Sequence, residues 1–459
     1  GFIENTGDTE RGVDLQIRIY CDAQGAAWFR DTHVAFPITD QPPPAQTIYP
    51  FHGLVLPGGR GAFALGVSPE RPALFEFGYK DRSYYVLKLK HGLSRHATGG
   101  LRQRAHFDVL LYQPDPTWGF RSVTQRYYAL HAKWFHRRAL RNGLWLFYRP
   151  HAEEVPNPWD YAYHAFTGDA VKQDRRQGLA TLAYDLPGQR EFVRLAVEPK
   201  TYADQMKVLH ETVQDYRRTL SPASIYAREH LDRRVILTSG VYDAQQQFRA
   251  FTRTTEWGGP SLTFVMNPDP DLFHDRPDVT IGKTSLEWAR SMLDSIPEMD
   301  GLMVDSLFGW GRYFNCRLDH LPYADISLSY DPESRLPAIS NQFAHQEYLH
   351  ALREMLGDKL LMGNGIRPGR FFNGMALDVL SCENPVDRGR ENPIMGADLV
   401  GGGESEETGL ISLAYRNLIF DRIVAYQKPF LIVSHHQNEW EDIATVERFW
   451  KIGLFFGVY

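Results

Sequence analysis

Asp300-Gly301-Leu302-Met303-Val304-Asp305-Ser306-Leu307 is the stretch on which the fold turns. A short apolar burst ends in a carboxylate, and the sequence behind it opens into Phe308, Trp310, Arg312, Tyr313 and Asn315. A run without polar alternation suits a strand covered on both faces, as in a parallel sheet. In a parallel α/β barrel the C-terminal ends of the strands carry the chemistry. Asp305 stands at such an end and is expected to be a reacting carboxylate.

The same character recurs on both sides. Apolar runs at 144–149, 179–184, 262–266, 302–305, 360–364, 377–382 and 430–434 alternate with helical patterns. Met206, Leu209, Val213, Tyr216 and Leu220 fall at helical spacing behind Thr201. Leu286, Ala289, Leu293 and Ile296 mark a second helix, with Thr284 and Glu287 as its capping box. Leu349, Leu352 and Leu356 mark a third, and residues 405–426 a fourth. Seven β/α units, with 454–459 placed to begin an eighth strand, predict a (β/α)8 TIM-like barrel over 141–459. A doubly wound open sheet is the alternative, but it usually carries a phosphate-binding glycine turn after its first strand. Gly363-Asn364-Gly365 is only a turn signal. Two insertions are expected: a hairpin near 224–258, from the runs at 235–237 and 248–251, and a Gly- and acid-rich loop near 384–404. A loop of that length is often a lid, with a solvated connector as the plain alternative.

Before the barrel the pattern differs. Leu15, Ile17, Ile19 and Cys21 alternate with polar residues, as do Phe63, Leu65 and Val67, and Tyr85, Leu87 and Leu89. Period-two alternation describes antiparallel strands with one buried face. Pro42-Pro43-Pro44, Pro57-Gly58-Gly59 and Gly99-Gly100 punctuate them. Residues 1–118 are therefore expected to form an antiparallel β-sandwich that supports the barrel. Asp115-Pro116-Thr117-Trp118-Gly119-Phe120 is the joint, and Val123, Tyr127, Leu130 and Trp134 predict a linker helix over 121–138, within a connecting segment at 119–140.

Composition narrows the classes. At 459 residues the chain exceeds one ordinary core, which implies two domains. A net charge of −6 with no basic block argues against nucleic acid as a partner. No apolar run reaches the length of a membrane span. Cys21, Cys316 and Cys382 are too few and too far apart for a disulfide framework or a metal knuckle. The chain opens on Gly1-Phe2-Ile3, shows no signal peptide and stops within apolar sequence, so it is expected to be a piece of a longer protein. No cofactor is expected, because there is no P-loop and no dinucleotide turn. A Gly-x-Ser-x-Gly elbow is also missing, which argues against a serine hydrolase. His435-His436 with Glu439 lacks metal-ligand spacing, and Asn267-Pro268-Asp269-Pro270-Asp271 lacks the glycine and terminal Glu of a calcium loop.

The predicted strand ends present Arg149 and His151, Tyr184 and Asp185, Asn267 and Asp269, Asp305, Asn364 and Arg367, Glu383, then His435, His436 and Glu439. Glycoside hydrolysis needs two carboxylates flanking the scissile bond, one ionised and one protonated. Asp305, with Arg312 near it in sequence, is expected to be the ionised partner, and Glu383 the acid/base. Asp378 lies early in its strand and reads as structural; Asp319 is a third candidate or a sugar-hydroxyl ligand. Tyr184, Asp185, Asp319, His320, Asn364 and His435 are expected to line the carbohydrate subsites, with Trp310 as a stacking platform. The rivals are a non-catalytic carbohydrate-binding barrel and a metal-dependent barrel hydrolase centred on His435 and His436.

The β-sandwich, the Trp118-Gly119-Phe120 joint, the helix with Tyr127-Tyr128 and a barrel beginning Gly143-Leu144-Trp145 together resemble glycoside-hydrolase-like proteins. These carry a galactose-mutarotase-like sandwich before a (β/α)8 barrel, in the neighbourhood of the endo-α-N-acetylgalactosaminidases and the α-galactosidase clan. Val304-Asp305 is the sharpest local match, since those α-glycosidases keep a nucleophilic Asp at strand four. In the α-galactosidase clan the acid/base follows strand six, where Glu383 stands, although that clan uses Asp. The endo-α-N-acetylgalactosaminidases keep their acid nearer the nucleophile, and strand five here offers Asn364. The resemblance implies a retaining O-glycosyl hydrolase acting on an α-glycoside, in a secreted or periplasmic setting, without naming the sugar.

Overall fold

The computed structural model describes the chain except residues 81–82, 147–156, 166–169, 188, 195–197, 215–233, 256–258, 308–313, 384–409, 434–450, 452, 456 and 458–459. The N-terminal part contains β1 (Phe2–Glu4), β2 (Arg11–Tyr20), β3 (Ala27–Phe29), β4 (Ala35–Pro37), β5 (Phe51–Val55), β6 (Ala62–Val67), β7 (Leu74–Lys80), β8 (Tyr84–Leu93), β9 (Arg104–His106) and β10 (Val109–Tyr112). They form two antiparallel sheets, ordered β10-β6-β5-β3-β4 and β2-β8-β7, beside a β1–β9 pair. The alternation in β2 has the expected consequence. Leu15, Ile17 and Ile19 stand opposite Leu89, Leu87 and Tyr85 of β8, all three of which are fully buried. Each such aliphatic side chain contributes about 1.5–3 kcal/mol on leaving water.

Helix α1 (Phe120–Leu130) lies on the outer face of the larger sheet, where Tyr127 donates to the Val67 carbonyl at 2.8 Å. Gly53 makes this approach possible, because a Cβ there would sit 2.6 Å from Val123. The helix is shorter than the expected 121–138. His131 leaves helical geometry while its N–H still bonds the Tyr127 and Tyr128 carbonyls, and Trp134 falls on a separate 3-10 turn with its indole on Glu70.

The rest of the chain contains, in order, β11 (Leu144–Leu146), β12 (Tyr161–Ala165), α2 (Ala170–Gln177), β13 (Ala180–Asp185), β14 (Gln189–Arg194), α3 (Tyr202–Gln214), α4 (Val235–Ser239), β15 (Ala250–Thr255), β16 (Gly259–Val265), α5 (Ile281–Ser295), β17 (Gly301–Val304), β18 (Phe314–Asn315), β19 (Ser329–Tyr330), β20 (Pro337–Ser340), α6 (Asn341–Leu356), β21 (Leu360–Asn364), α7 (Phe371–Ala376), β22 (Val379–Glu383), α8 (Leu410–Ala425) and β23 (Phe430–Val433). Seven of these strands make one parallel sheet, β11-β12-β13-β17-β21-β22-β23, whose first and last members approach each other in a nearly closed barrel. Side chains alternate between its two faces. Leu182, Tyr184, Met303, Met362, Val379 and Leu431 pack in one cluster, while Ala183, Leu302, Val304, Leu361 and Leu380 join the core shared with the helices.

Several expectations change. The run at 262–266 belongs to β16, in an antiparallel sheet ordered β14-β16-β15, and not to the barrel. It is apolar because Leu262, Phe264 and Met266 pack against Leu209 of α3, Val235 and Ile236 of α4 and Ile281 of α5. The barrel strand the sequence concealed is β12, Tyr-Ala-Tyr-His-Ala, which carries a buried histidine in a short run. The two differences cancel, so β17 remains fourth. Residues 235–237 are helical instead of one arm of a hairpin; the hairpin arms are β15 and β16. Residues 453–455, where an eighth strand is expected to begin, are helical, and 456 and 458–459 lie outside the described residues. Thr280 caps α5 in place of Thr284, accepting from the Lys283 N–H. The loop at 384–404 lies outside the described residues.

The sheets and the barrel share one apolar core. Phe51 and Tyr49 meet Phe371 of α7, and Tyr49 meets Phe420 of α8. A second seam joins β19 to β8, where Gly92 donates to the Leu328 carbonyl at 2.7 Å. A Cβ on Gly92 would meet the Ser329 carbonyl at 1.9 Å, so only glycine fits that seam. No helix among the described residues is long and apolar enough to cross a membrane.

Candidate active site

At the tip of β17 the chain changes partners. Asp305 donates its N–H to the Asp185 carbonyl at 2.9 Å, and two residues later Leu307 donates to the Asn364 carbonyl at 2.9 Å. Ser306 makes the change of direction with φ +60°. A left-handed serine costs roughly 1–2 kcal/mol, and such residues gather at functional sites. Its own N–H donates to Asp305 Oδ1 at 2.7 Å.

Asp305 is 8% exposed, and side chains from both neighbouring strands converge on it. Asn364, at the end of β21, donates its amide to Oδ1 at 2.8 Å. Tyr184, from β13, donates its hydroxyl to Oδ2. Behind Asn364, Ser381 of β22 donates to the Gly363 carbonyl at 3.1 Å and stands 3.4 Å from Asn364 Oδ1. One polar chain thus crosses four consecutive strands. Strand register produces it: Tyr184 pairs with Met303, Val304 with Gly363, and Asn364 with Ser381. Donors that meet an ionised carboxylate favour it and hold its direction.

The other expected residues fall in different places. Asp185 is adjacent to Tyr184, yet its carboxylate is 1% exposed and turned to α6, where Oδ2 accepts from the Tyr348 hydroxyl and Oδ1 from the Leu186 N–H at 2.8 Å. His320 is fully enclosed. Its Nδ1 meets the Asn315 amide at 2.9 Å and the Asn267 amide at 3.3 Å, and its Nε2 meets the Thr238 carbonyl at 2.9 Å. Burial, with Arg317 close by, pushes its pKa down to about 3, so the neutral ring clamps the β17–α6 connection to Asn267 and Thr238. Asp319 is half-exposed. Burial alone would raise its carboxyl, but the Arg317 guanidinium, at 2.6 and 3.1 Å, holds it below the usual carboxylate range.

Glu383 is the last residue of β22, paired with Val433 of β23, so its backbone stands at the barrel's C-terminal end. Asp378 begins the approach to the same strand at the opposite end. There it is fully buried, bonded by Arg353, by Arg138 at 3.1 Å and by the Leu361 N–H at 2.9 Å, as a structural group should be. Trp310, Arg312, His435, His436, Glu439, Arg149 and His151 lie outside the described residues. Among the described residues no group of three or more His, Cys, Asp or Glu side chains could hold a metal ion, and Cys21, Cys316 and Cys382 form no disulfide.

An acidic cluster lies where the β16–α5 connection, α6 and the β18–β19 connection meet. Asp269 is buried and its Oδ2 has no hydrogen-bond partner; burial, with Asp271 and Asp325 near it, pushes its carboxyl up to about 7. Glu347 on α6 accepts the N–H groups of Asp325 and Ile326 at 2.9 and 2.7 Å, leaves Oε2 without a partner, and is raised well above the carboxylate range by burial and by Asp269.

Ser306, Ser381 and Tyr348 were not singled out from the sequence. Ser381 had a signal, as the one hydroxyl within the apolar run Val379-Leu380-Ser381-Cys382. Tyr348 had none, because an aromatic on an amphipathic helix reads as core.

No family model and no curated protein matches the sequence. Comparison of folds finds glycoside hydrolases. A cycloalternan-degrading enzyme from Trueperella pyogenes matches with TM-score 0.41 and 10% identity over 92% of this chain and 57% of that one. The α-N-acetylgalactosaminidase NagBb from Bifidobacterium bifidum matches with TM-score 0.40 and 11% identity, over 85% and 66%. The glycoside hydrolase domain of PelA from Pseudomonas aeruginosa matches with TM-score 0.34 and 13% identity, over 68% and 90%. The chain thus spans little more than half the length of the first of these enzymes. With TM-scores below 0.5, these matches leave the reading of the site to its own geometry.

Proposed function

We propose that the chain is a retaining glycosidase acting on an α-glycoside, with Asp305 as nucleophile and Glu383 as acid/base. The observation that supports it is the Asp305 carboxylate at the tip of the fourth parallel strand, held by Tyr184 and Asn364 from the strands on either side. A nucleophile must be ionised and aimed, and donors on both oxygens serve both needs. Glu383, two strands along, is the carboxyl that would protonate the leaving oxygen. A gap of about 5–5.5 Å between the two carboxyl groups corresponds to retention, and about 6.5–9.5 Å to inversion. Asp319, Trp310 and His435 are the proposed contacts to the sugar. We read the two N-terminal sheets as a β-sandwich over 1–118, and the seven parallel strands as part of a (β/α)8 barrel over 141–459.

The test is a panel of aryl α- and β-glycosides with Asp305→Asn as control. Turnover of an α-glycoside that falls at least about a thousandfold in the variant is expected. Equal turnover by the variant removes the assignment, and no turnover of any sugar by the wild type favours a carbohydrate-binding barrel instead.

A further inference from the structure

Asp185 and Tyr348 form a pair whose position says more than its stability does. Asp185 is the last residue of β13, directly after Tyr184. Successive strand residues face opposite sides of a sheet. Tyr184 therefore reaches Asp305, while Asp185 reaches the helix layer and accepts the Tyr348 hydroxyl. Its carbonyl also accepts the Asp305 N–H. One residue thus fixes the height of the Tyr184 phenol and the backbone of the reacting carboxylate.

A carboxylate at this depth is expensive to desolvate, and a hydrophobic residue of similar size would stabilise the contact with α6 at least as well. The phenol that meets it keeps its proton: burial first, and Asp185 second, raise the Tyr348 hydroxyl well above its ordinary range. The pair is therefore a permanent donor and acceptor, with the second carboxylate oxygen taken by the Leu186 N–H. Asp185 is buried, so its carboxylate is not open to solvent from which a sugar would bind.

We propose that Asp185 and Tyr348 are positioning residues for Asp305: they brace the tip of β13 against α6, so that the Tyr184 hydroxyl and the Asp305 backbone are held together. The proposal rests on Asp305 as the reacting group for its relevance to catalysis. Its physical content, control of Asp305 from outside the barrel, can be measured without any substrate.

The experiment follows the Asp305 carboxyl by carbon NMR in protein labelled at the aspartate side-chain carbon, with the signal assigned by its loss in Asp305→Asn. In Tyr348→Phe the brace is cut, the Tyr184 bond loosens, and the titration midpoint of Asp305 is expected to rise by about half a pH unit or more. Leu356→Ala, at the far end of the same helix, is the control: it lowers the melting temperature but leaves the Asp305 midpoint in place. Should Tyr348→Phe fail to fold, Asp185→Asn tests the same brace: losing the Asp185 charge by itself lowers the Asp305 midpoint, so a rise in that variant is expected only from the loosened Tyr184 bond, and a fall or no change overturns the brace. A folded variant with an unmoved Asp305, or a control that moves it as far, overturns the brace. Aryl-glycoside turnover by the wild type judges the glycosidase assignment separately. If the assignment holds, kcat is expected to fall about tenfold in Tyr348→Phe with little change in KM.

Discussion

Tyr184 and Asp305 sit on adjacent parallel strands, and the phenol of one donates to the carboxylate of the other within a barrel interior otherwise filled by Leu182, Met303 and Met362. A hydrogen bond to an ionised group is worth about 1.5–3 kcal/mol. Tyr184→Phe keeps the ring and removes only that bond. The expected outcome is a raised Asp305 titration midpoint and a loss of about 10–100-fold in kcat/KM on any aryl glycoside the wild type hydrolyses. An unchanged midpoint would show that the phenol does not hold the carboxylate.

The acidic junction of Asp269 and Glu347 predicts a pH dependence of stability. Both carboxyls are raised in the folded protein, so between the ordinary value of 3.8 and about 7 the folded state holds a proton on Asp269 that the unfolded chain releases. Stability from this group is fully present below pH ~4 and declines as pH rises to about 7, by up to about 1.4 kcal/mol per pH unit for one proton. The facing charges are Asp271 and Asp325, which raise it, and His274, which lowers it. Chemical denaturation from pH 4 to 8 should show a steeper decline in the wild type than in Asp269→Asn. Parallel curves would exclude the junction as the cause.

Gly301 opens β17 against Leu360 of β21, and a Cβ there would lie 1.9 Å from the Leu360 carbonyl oxygen. Backbone cannot yield as a side-chain tip can. Gly301→Ala is expected to cost about 3 kcal/mol, the upper end of over-packing, read as a lowered urea midpoint. A variant as stable as the wild type would mean that the two strands can separate freely at this point.

Asp378 separates structure from chemistry. It is buried between Arg353 and Arg138 at the end of the barrel away from Asp305. Asp378→Ala takes the buried carboxylate from the largely buried Arg353 and from Arg138, whose side chain is 36% exposed, which costs about 3 kcal/mol, the lower end for a broken buried pair. Melting should fall strongly while the Asp305 titration stays in place. A shift of the Asp305 midpoint in this variant would place Asp378 in the site after all.

Much of this was legible along the chain. The apolar run at 302–304 followed by Asp305 marked a strand covered on both faces, as a parallel barrel strand is. Alternation in β2, β6 and β8 marked the antiparallel sheets for the complementary reason. Local pattern misled where an apolar run had a different cover: β16 is apolar because α3, α4 and α5 pack on it, and a sequence run does not say what covers it. In β12, His164 masked the pattern, since its partner Asp174, 2.8 Å away, lies ten residues off.

By itself the sequence determined the antiparallel character of β2, β6 and β8 and the covered parallel run that ends in Asp305. Only the tertiary structure decided which polar side chains meet. Tyr184 and Asp185 are neighbours with the same standing in the sequence, yet a period of two sends one to Asp305 and the other to Tyr348. Asn364 reaches the same carboxylate across 59 residues of chain. Such pairings depend on strand register and on which helix covers which face, and both are settled by packing among segments far apart in sequence.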